Sequence, residues 1–555
     1  MKTRSHKQAN YGFSLSLVLV FTGVLFLLLT GLLAWTTTNG NMTQRYIEYH
    51  DTVAAAEAAT EKVVASMASD FQSSGASGVD ANLSSYGALV PTPGEVSDWG
   101  NYEFDDPSGA PNATYVSKLT AWLYDTDLNW KYSGFKGYAS TYRIISNARN
   151  TASRYGITSA VKQEIQIASI PLFEFGVFYA LDMETCALAY SFTVPGRVHC
   201  NGTIYSKPNQ VTVTFQGDVT AAQKILSANS PNDPSPRTMG TNIFQGEHDW
   251  NVSSLNLPLG TNNNPTNLHA LIDIPPGSES ASSLLGLQRY YNKADLIILV
   301  SNATVVARSG AYNNFATTLY WTNINNFVDT NVSFNNNRES RTIKATQIDV
   351  ARFATNNLLG GHAVKILYVA DLRTQSSSTE AGVRLVNGSN LPAAGLTVAT
   401  LNPLYVLGHY NAPDTTPGST NSGAPASLVA DAITLLSGGW TDPNSSSPGD
   451  MTLNAAVLAG IVPSNGSYFS GGLENFFRLQ ENWTSHTLTF NGSIVVLFPS
   501  QTANGWWGTG GYSPPVRMFS FDPKFKDNTK LPPGTPSVCT VIRSAWNITQ
   551  AYSTQ

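Results

Sequence analysis

The residue types that most often carry catalysis are present, but they form no recognisable motif. The eight histidines are scattered along the chain, and no GxSxG, HExxH, GxGxxG or phosphate-binding-loop pattern occurs. His248 and Asp249 could supply half of an acid–base pair, although a solvated loop pair is the simpler interpretation. We therefore predict no catalytic residue, no metal ligand and no cofactor, and we expect the protein not to be an enzyme.

The cysteines and one aromatic cluster leave two questions of chemistry open. Cys186, Cys200 and Cys539 have no CxxC or Cys/His spacing suited to zinc. Cys186 and Cys200 either form a disulfide, in an oxidising compartment, or remain buried thiols. An aromatic cluster near the C-terminus forms either a sugar-binding platform or the closure of a core; its members are Trp506, Trp507, Tyr512 and Phe519.

Composition indicates a large, β-rich and weakly charged protein. Of the 555 residues, 12% are charged and 42% are hydrophobic, whereas about 25% of a typical soluble domain is charged. The hydrophobic share supplies a large core and excludes disorder as the main state. The 44 glycines and 29 prolines favour strands and turns. With 32 basic against 37 acidic residues, the chain offers no electrostatic basis for binding nucleic acid.

The strongest feature is an apolar segment near the N-terminus. Phe13 to Trp35 is a run of 23 residues without a charge. As a helix it would be about 34 Å long, which is enough to cross a bilayer core of about 30 Å. Lys2, Arg4 and Lys7 precede it, so the positive-inside rule predicts that residues 1–12 are cytoplasmic. We therefore expect a single-pass membrane protein with an extracytoplasmic C-terminal ectodomain.

The helical pattern continues beyond this segment. From Tyr46 to Phe71, apolar residues recur at spacings of three and four, and the alanine-rich run 54–59 has a high helix propensity. We predict one transmembrane and juxtamembrane helix over 13–72. Gly23 and Gly31 leave room on this helix for the close approach of neighbouring side chains.

These residues resemble the leader and helix of type IV prepilins. The short basic leader, Gly12-Phe13-Ser14-Leu15 and the apolar helix together look like a class III prepilin leader. In that family a prepilin peptidase cuts after the glycine and the new N-terminal phenylalanine is methylated, so the resemblance implies both events at Gly12 and Phe13. The segment Ala55-Ala56-Glu57-Ala58 is similar to the helix of PilX-like pilus assembly proteins and minor pilins.

The ectodomain carries a second resemblance. Asp182-Met183-Glu184 with Pro195–Tyr205, and later Gly395–Gly408, are similar to a large form of these proteins in Verrucomicrobia-like bacteria. Leu17 occupies mature position five, where major pilins usually carry Glu, which argues against a bulk fibre subunit. Glu57 either pairs with a neighbouring subunit inside a helix bundle or lies on a solvated stalk that holds the ectodomain off the membrane.

The resemblance also implies the partners and the function. The expected partners are other pilin-like subunits, the pilus assembly machinery, prepilin peptidase and the membrane, with no nucleic acid. The expected function is that of a minor pilin or pilus assembly protein of a type IV pilus or pseudopilus. A membrane-anchored adhesin or carbohydrate-binding protein is the first alternative. An anchored extracellular hydrolase, whose carboxylate pair would be visible only in three dimensions, is the second.

The remaining pattern predicts an α+β protein whose ectodomain is mostly strands. We expect residues 73–185 to form a loop-rich collar and a helical region, with helices over 139–182 and Ser159 as an N-cap. Residues 186–555 should form the β-rich ectodomain, with a loop-rich insertion around 218–360. Short strands between Gly and Asn turns fit either a β-helix-like stack or a β-sandwich.

Overall fold

A single long helix begins the fold. The computed structural model describes residues 12–187, 190–311, 319, 321–356, 359, 362–414, 423–508 and 512–554, and helix α1 spans Gly12–Ala81. The predicted leader therefore lies outside the described residues except for Gly12. The helix confirms the prediction for 13–72 and continues to Ala81 past a kink at Gly75, whose φ of 66° suits glycine.

The second half of α1 packs on an antiparallel sheet. Its buried face includes Ala56, Val63, Met67 and Phe71. The sheet has six strands, of which the last comes from the far end of the chain. The first five strands are β1 (Tyr102–Asp105), β2 (Tyr115–Lys118), β3 (Leu123–Asp127), β4 (Lys136–Asn150) and β5 (Thr158–Pro171).

The prediction of helices over 139–182 is wrong, because β4 and β5 occupy most of that range. Ile165 and Ile167 of β5 pack against α1, whereas Ala168 and Ile170 pack into the core on the other side. Both faces of the second half of β5 are largely buried, so residues 165–171 lack the polar alternation that identifies an exposed strand. Ser159 does not cap a helix; its hydroxyl lies 2.7 Å from that of Thr52 on α1.

After β5 the chain builds the first part of a parallel β-helix. Successive coils stack in register, so that Val177, Val198 and Val219 lie one above another in its first side. Residues 219–250, predicted within a loop-rich insertion, supply four of the strands. The strands are β6 (Val177–Tyr179), β7 (Met183–Thr185), β8 (Phe192–Val194), β9 (Val198–Cys200), β10 (Ile204–Ser206), β11 (Thr212–Phe215), β12 (Val219–Ala221), β13 (Ile225–Leu226), β14 (Thr241–Phe244) and β15 (His248–Trp250).

The chain then crosses to the far end and builds the second part back toward the first. The crossing carries three short helices, α2 (Pro265–His269), α3 (Leu284–Gln288) and α4 (Tyr290–Lys293); α5 (Trp321–Ile324) and α6 (Val350–Ala354) follow. The strands are β16 (Leu296–Val300), β17 (Val305–Arg308), β18 (Val328–Asn336), β19 (Arg341–Asp349), β20 (Ile366–Asp371), β21 (Thr379–Val386), β22 (Leu396–Ala399), β23 (Leu404–Leu407), β24 (Ala426–Ala430), β25 (Ile433–Leu436), β26 (Trp440–Thr441), β27 (Ser445–Ser446), β28 (Met451–Asn454), β29 (Ala456–Ala459), β30 (Arg478–Leu479), β31 (Thr487–Gly492), β32 (Ile494–Val496) and β33 (Val516–Phe521).

The two parts join along a seam in the middle of the stack. On one side β6 pairs in parallel with β32, which unites both parts in an 11-stranded sheet. On another side β33 lies beside β8, with the Phe519 and Phe192 rings 5.4 Å apart. Parallel stacking of this kind confirms the β-helix and excludes the sandwich for the described residues.

The β-helix is an insertion in the first sheet. The last strand, β34 (Ser537–Thr549), returns to pair antiparallel with β5, with Val538 opposite Ile170. The chain therefore leaves the sheet after β5, builds the whole β-helix and re-enters the sheet beside the strand it left. This topology differs from the two consecutive regions, 73–185 and 186–555, that the sequence predicted.

Candidate functional site

The first half of α1 presents an exposed apolar surface. Its large apolar side chains from Leu17 to Trp35 are at least 48% exposed, with Leu27 at 75%. The helix is long and apolar enough to cross a membrane, and its most apolar stretch of 18 residues is entirely unburied. A Cβ added at Gly23 or Gly31 would meet no atom within 4 Å. Both glycines are therefore open notches on an exposed apolar rod.

The second half of α1 is fixed to the sheet by polar contacts as well as by its core. The Gln163 amide donates to Thr60 Oγ1 at 2.9 Å and to Glu61 Oε1 at 2.8 Å. Arg543 of β34 pairs with the other oxygen of Glu61 at 2.5 Å. Glu57 is half-buried, and its carboxylate makes no hydrogen bond or ion pair with the rest of the described chain. Of these two carboxylates, Glu61 is thus used within the subunit and Glu57 is not.

The predicted processing site lies at the first residue of the helix. Helix α1 begins at Gly12, and Phe13 is its second residue. Cleavage after Gly12 and methylation of Phe13 stay predictions from the resemblance.

The three cysteines are free thiols in the structure. Cys186 and Cys200 face different parts of the interior, which favours buried thiols over a disulfide between them. The Cys200 thiol donates to the carbonyl oxygen of Leu181 at 3.1 Å. Cys186 instead faces Glu184 and Asp233 across the seam. Burial raises the pKa of both thiols.

A cluster of ionisable groups that the sequence did not predict lies at the seam. Ligand atoms of Glu184, Cys186 and Asp233 all lie within 4.8 Å of one another. Asp233 forms a fully buried ion pair with Arg237, whose guanidinium lies 4.3 Å from the centre of the Phe469 ring. The arginine already neutralises Asp233 and Cys186 is protonated, so the trio is poorly suited to a metal ion.

Glu184 of this cluster also lines a cleft. Burial raises the pKa of Glu184 to about 7, and the cleft has a volume of about 220 Å³. Its carboxylate accepts a hydrogen bond from Ser464 at 3.0 Å. The Asp233 side chain is 0% exposed behind Arg237 and does not reach the cleft. Asp182 is the second acidic residue that lines this cleft, and its carboxylate accepts a hydrogen bond from the Thr203 amide at 2.8 Å.

The aromatic cluster predicted near the C-terminus divides between two environments. Phe519 is a core residue, and Trp506 stacks on Tyr468 with ring centroids 4.4 Å apart. Trp507 and Tyr512 instead line one pocket together. His248 and Asp249 do not pair with each other, because His248 stacks on Phe244 and Asp249 pairs with Lys131.

A buried histidine between two carboxylates was not predicted. His269 at the end of α2 lies 3.0 Å from Asp273 and 3.3 Å from Asp431. Burial alone would lower the pKa of His269, but the hydrogen bonds and charges of the two carboxylates outweigh it and raise the pKa to about 9. Asp431 also accepts from Ser500 and from three backbone amides after it. The group ties the crossing segment to the β-helix.

The geometry therefore defines a β-rich protein with one long N-terminal helix whose first half is apolar and exposed. No family model and no curated protein matches the chain. Among solved structures it is similar to the competence-associated pilin ComZ from Thermus thermophilus, with 12% identity over 78% of this chain and 87% of that chain. The TM-score is 0.33, which is too low to establish a shared fold.

Proposed function

We propose that the protein is a pilin-like structural component, a minor pilin or pilus assembly protein, of a type IV pilus or related pseudopilus, and that it is non-catalytic. The observation that carries the proposal is the division of α1 into two halves. One half is an exposed apolar rod, and the other is fixed to an antiparallel sheet. The rod can lie in lipid before assembly and pack among like helices afterwards, with Gly23 and Gly31 as contact points.

In this proposal the rest of the chain is carried outside the membrane. The prepilin peptidase removes the leader after Gly12, and the Phe13 amine is methylated. Glu57, which has no partner within the described subunit, pairs with a neighbouring subunit in the bundle. The β-helix lies beside the sheet and does not interrupt it. The chain leaves the sheet after β5, builds the β-helix and returns to the sheet as β34.

Substitution of Gly23 and Gly31 tests the proposal. Neither Gly23→Leu nor Gly31→Leu creates a clash within the chain, because a Cβ there meets no atom within 4 Å. We expect both variants to fold and insert normally but to be depleted from the sheared filament fraction, because the added side chain blocks the approach of a neighbouring helix. Gly277→Leu is the matched control, since this exposed glycine in the crossing segment is equally unobstructed.

The readout is the ratio of filament to membrane protein, measured by immunoblot in a host with an active pilus system. Equal recovery of Gly23→Leu, Gly31→Leu and the control in the filament fraction would contradict the proposal. Absence of the wild-type chain from that fraction would favour the membrane-anchored adhesin.

A further inference from the structure

A pocket opens on the seam of the β-helix, separate from α1. Its volume is about 430 Å³, which lies within the usual range of about 300–1,000 Å³ for small-molecule sites. The walls come from three distant parts of the chain that the seam brings together. The lining side chains that matter here are Tyr190, Phe192, Asn475, Trp507, Tyr512 and Arg517.

The aromatic wall of the pocket is held in place before any ligand binds. The Trp507 indole donates to the Tyr512 hydroxyl at 2.8 Å, and that hydroxyl donates to Asn475 Oδ1 at 2.7 Å. The Asn475 amide donates in turn to the Gly471 carbonyl at 2.6 Å. Gly471 has a φ of +95°, and a Cβ there would lie 2.6 Å from the indole, so only glycine lets Trp507 adopt this position. The cost of ordering these rings is met during folding and not on binding.

One cation sits at the edge of this wall without a carboxylate partner. The Arg517 guanidinium donates to Asn475, and no described carboxylate forms an ion pair with it. Glu474 also lines the pocket and acts on Arg517 through its charge, and its carboxylate is bound by the amides of Cys186 and Ala187. Burial lowers the pKa of Arg517, and the charges of Tyr512 and Glu474 offset only part of this effect.

We propose that this pocket binds a saccharide that carries a carboxylate. The electron-rich faces of Trp507 and Tyr512 suit the apolar C–H face of a pyranose ring. The Tyr190 side chain, which lies outside this hydrogen-bond network, suits a sugar hydroxyl group, and the Arg517 fork takes the carboxylate in a charge-assisted, bidentate pair. A cationic ligand, which an aromatic cage alone would also suit, is repelled by Arg517. The inference does not depend on whether the chain enters a filament.

Binding to matched acidic and neutral sugars tests this inference. The full chain in detergent micelles is titrated calorimetrically with tetragalacturonate and with its fully methyl-esterified form; glucuronate and N-acetylneuraminate are further acidic probes. We expect at least one acidic probe to bind. Where that probe is tetragalacturonate, the ester should bind about tenfold more weakly or worse, because a hydrogen bond to a charged group is lost.

Variants separate the two halves of the pocket. Arg517→Gln should weaken binding of the acidic probe by about tenfold and leave binding of the ester unchanged. Trp507→Ala should abolish binding of both the acid and the ester. Trp250→Ala, on the exposed last strand of the stack, should change the binding of neither. Equal binding of acid and ester, unchanged binding by Arg517→Gln, or no binding of any acidic probe at millimolar concentration would overturn the inference. Arg517→Gln keeps the test decisive if Trp507→Ala fails to fold.

Discussion

Deprotonation of His269 should weaken the fold as the solution becomes alkaline. The imidazole lies between Asp273 and Asp431, which raise its pKa from 6.5 to about 9. A pKa raised in the folded state favours folding of the protonated form. The stabilisation is therefore complete below about pH 6.5 and is lost as the pH rises to about 9 and beyond. At 1.36 kcal/mol per pKa unit it amounts to about 3 kcal/mol.

The assay compares wild type with His269→Gln across pH. Urea unfolding is followed by tryptophan fluorescence, for which the fully buried Trp483 is a suitable reporter. The free energy of unfolding of wild type should exceed that of the variant by about 3 kcal/mol at about pH 6, and by about 1 kcal/mol or less at about pH 10. The difference in the free energy of unfolding between wild type and variant is used because other groups also titrate in this range and affect both proteins alike. Examples are Glu174 and Lys293, whose pKa values are about 8.

His248→Gln is the control for this experiment, because His248 is exposed and stacks on Phe244 without a carboxylate partner among the described residues. Its effect on stability should be small at every pH. A wild-type advantage over His269→Gln that stays constant, or that grows with pH, would refute the reasoning.

Two further predictions concern α1 and the cysteines. Glu57→Leu should reduce filament recovery more than Glu61→Leu, because Glu61 is committed to an exposed pair with Arg543 worth under about 1 kcal/mol; equal and mild losses by immunoblot would count against a role for Glu57 between subunits. Alkylation of unreduced, urea-unfolded protein should modify all three cysteines, because all are free thiols; a mass increase for a single alkyl group would reveal a disulfide.

The sequence predicted α1 well because its signals are local. An uncharged apolar run and helical spacing require no knowledge of distant residues. The error at β4 and β5 has a physical cause, since strands covered on both faces lose the alternation that distinguishes them from helices. The return of β34 to β5 was not predictable, because the entire β-helix separates Val538 from Ile170 in the sequence.

The β-helix carried a repeat that was not recognised. Val177, Val198 and Val219 recur at a constant interval and stack in register, but two intervals are few and the second part of the stack is irregular. The sequence predicted only part of the aromatic pocket. Trp507 and Tyr512 are close in sequence, whereas Asn475 joins them only across the seam.

The N-terminus of the mature protein tests the central claim most directly. The protein is extracted from membranes of a host with an active prepilin peptidase, and its N-terminal peptide is identified by mass spectrometry. Our account predicts a peptide that begins at Phe13 and carries one added methyl group, and it predicts that Gly12→Leu leaves the leader in place and abolishes assembly. A wild-type peptide that still begins at Met1 in that host would contradict the pilin-like assignment.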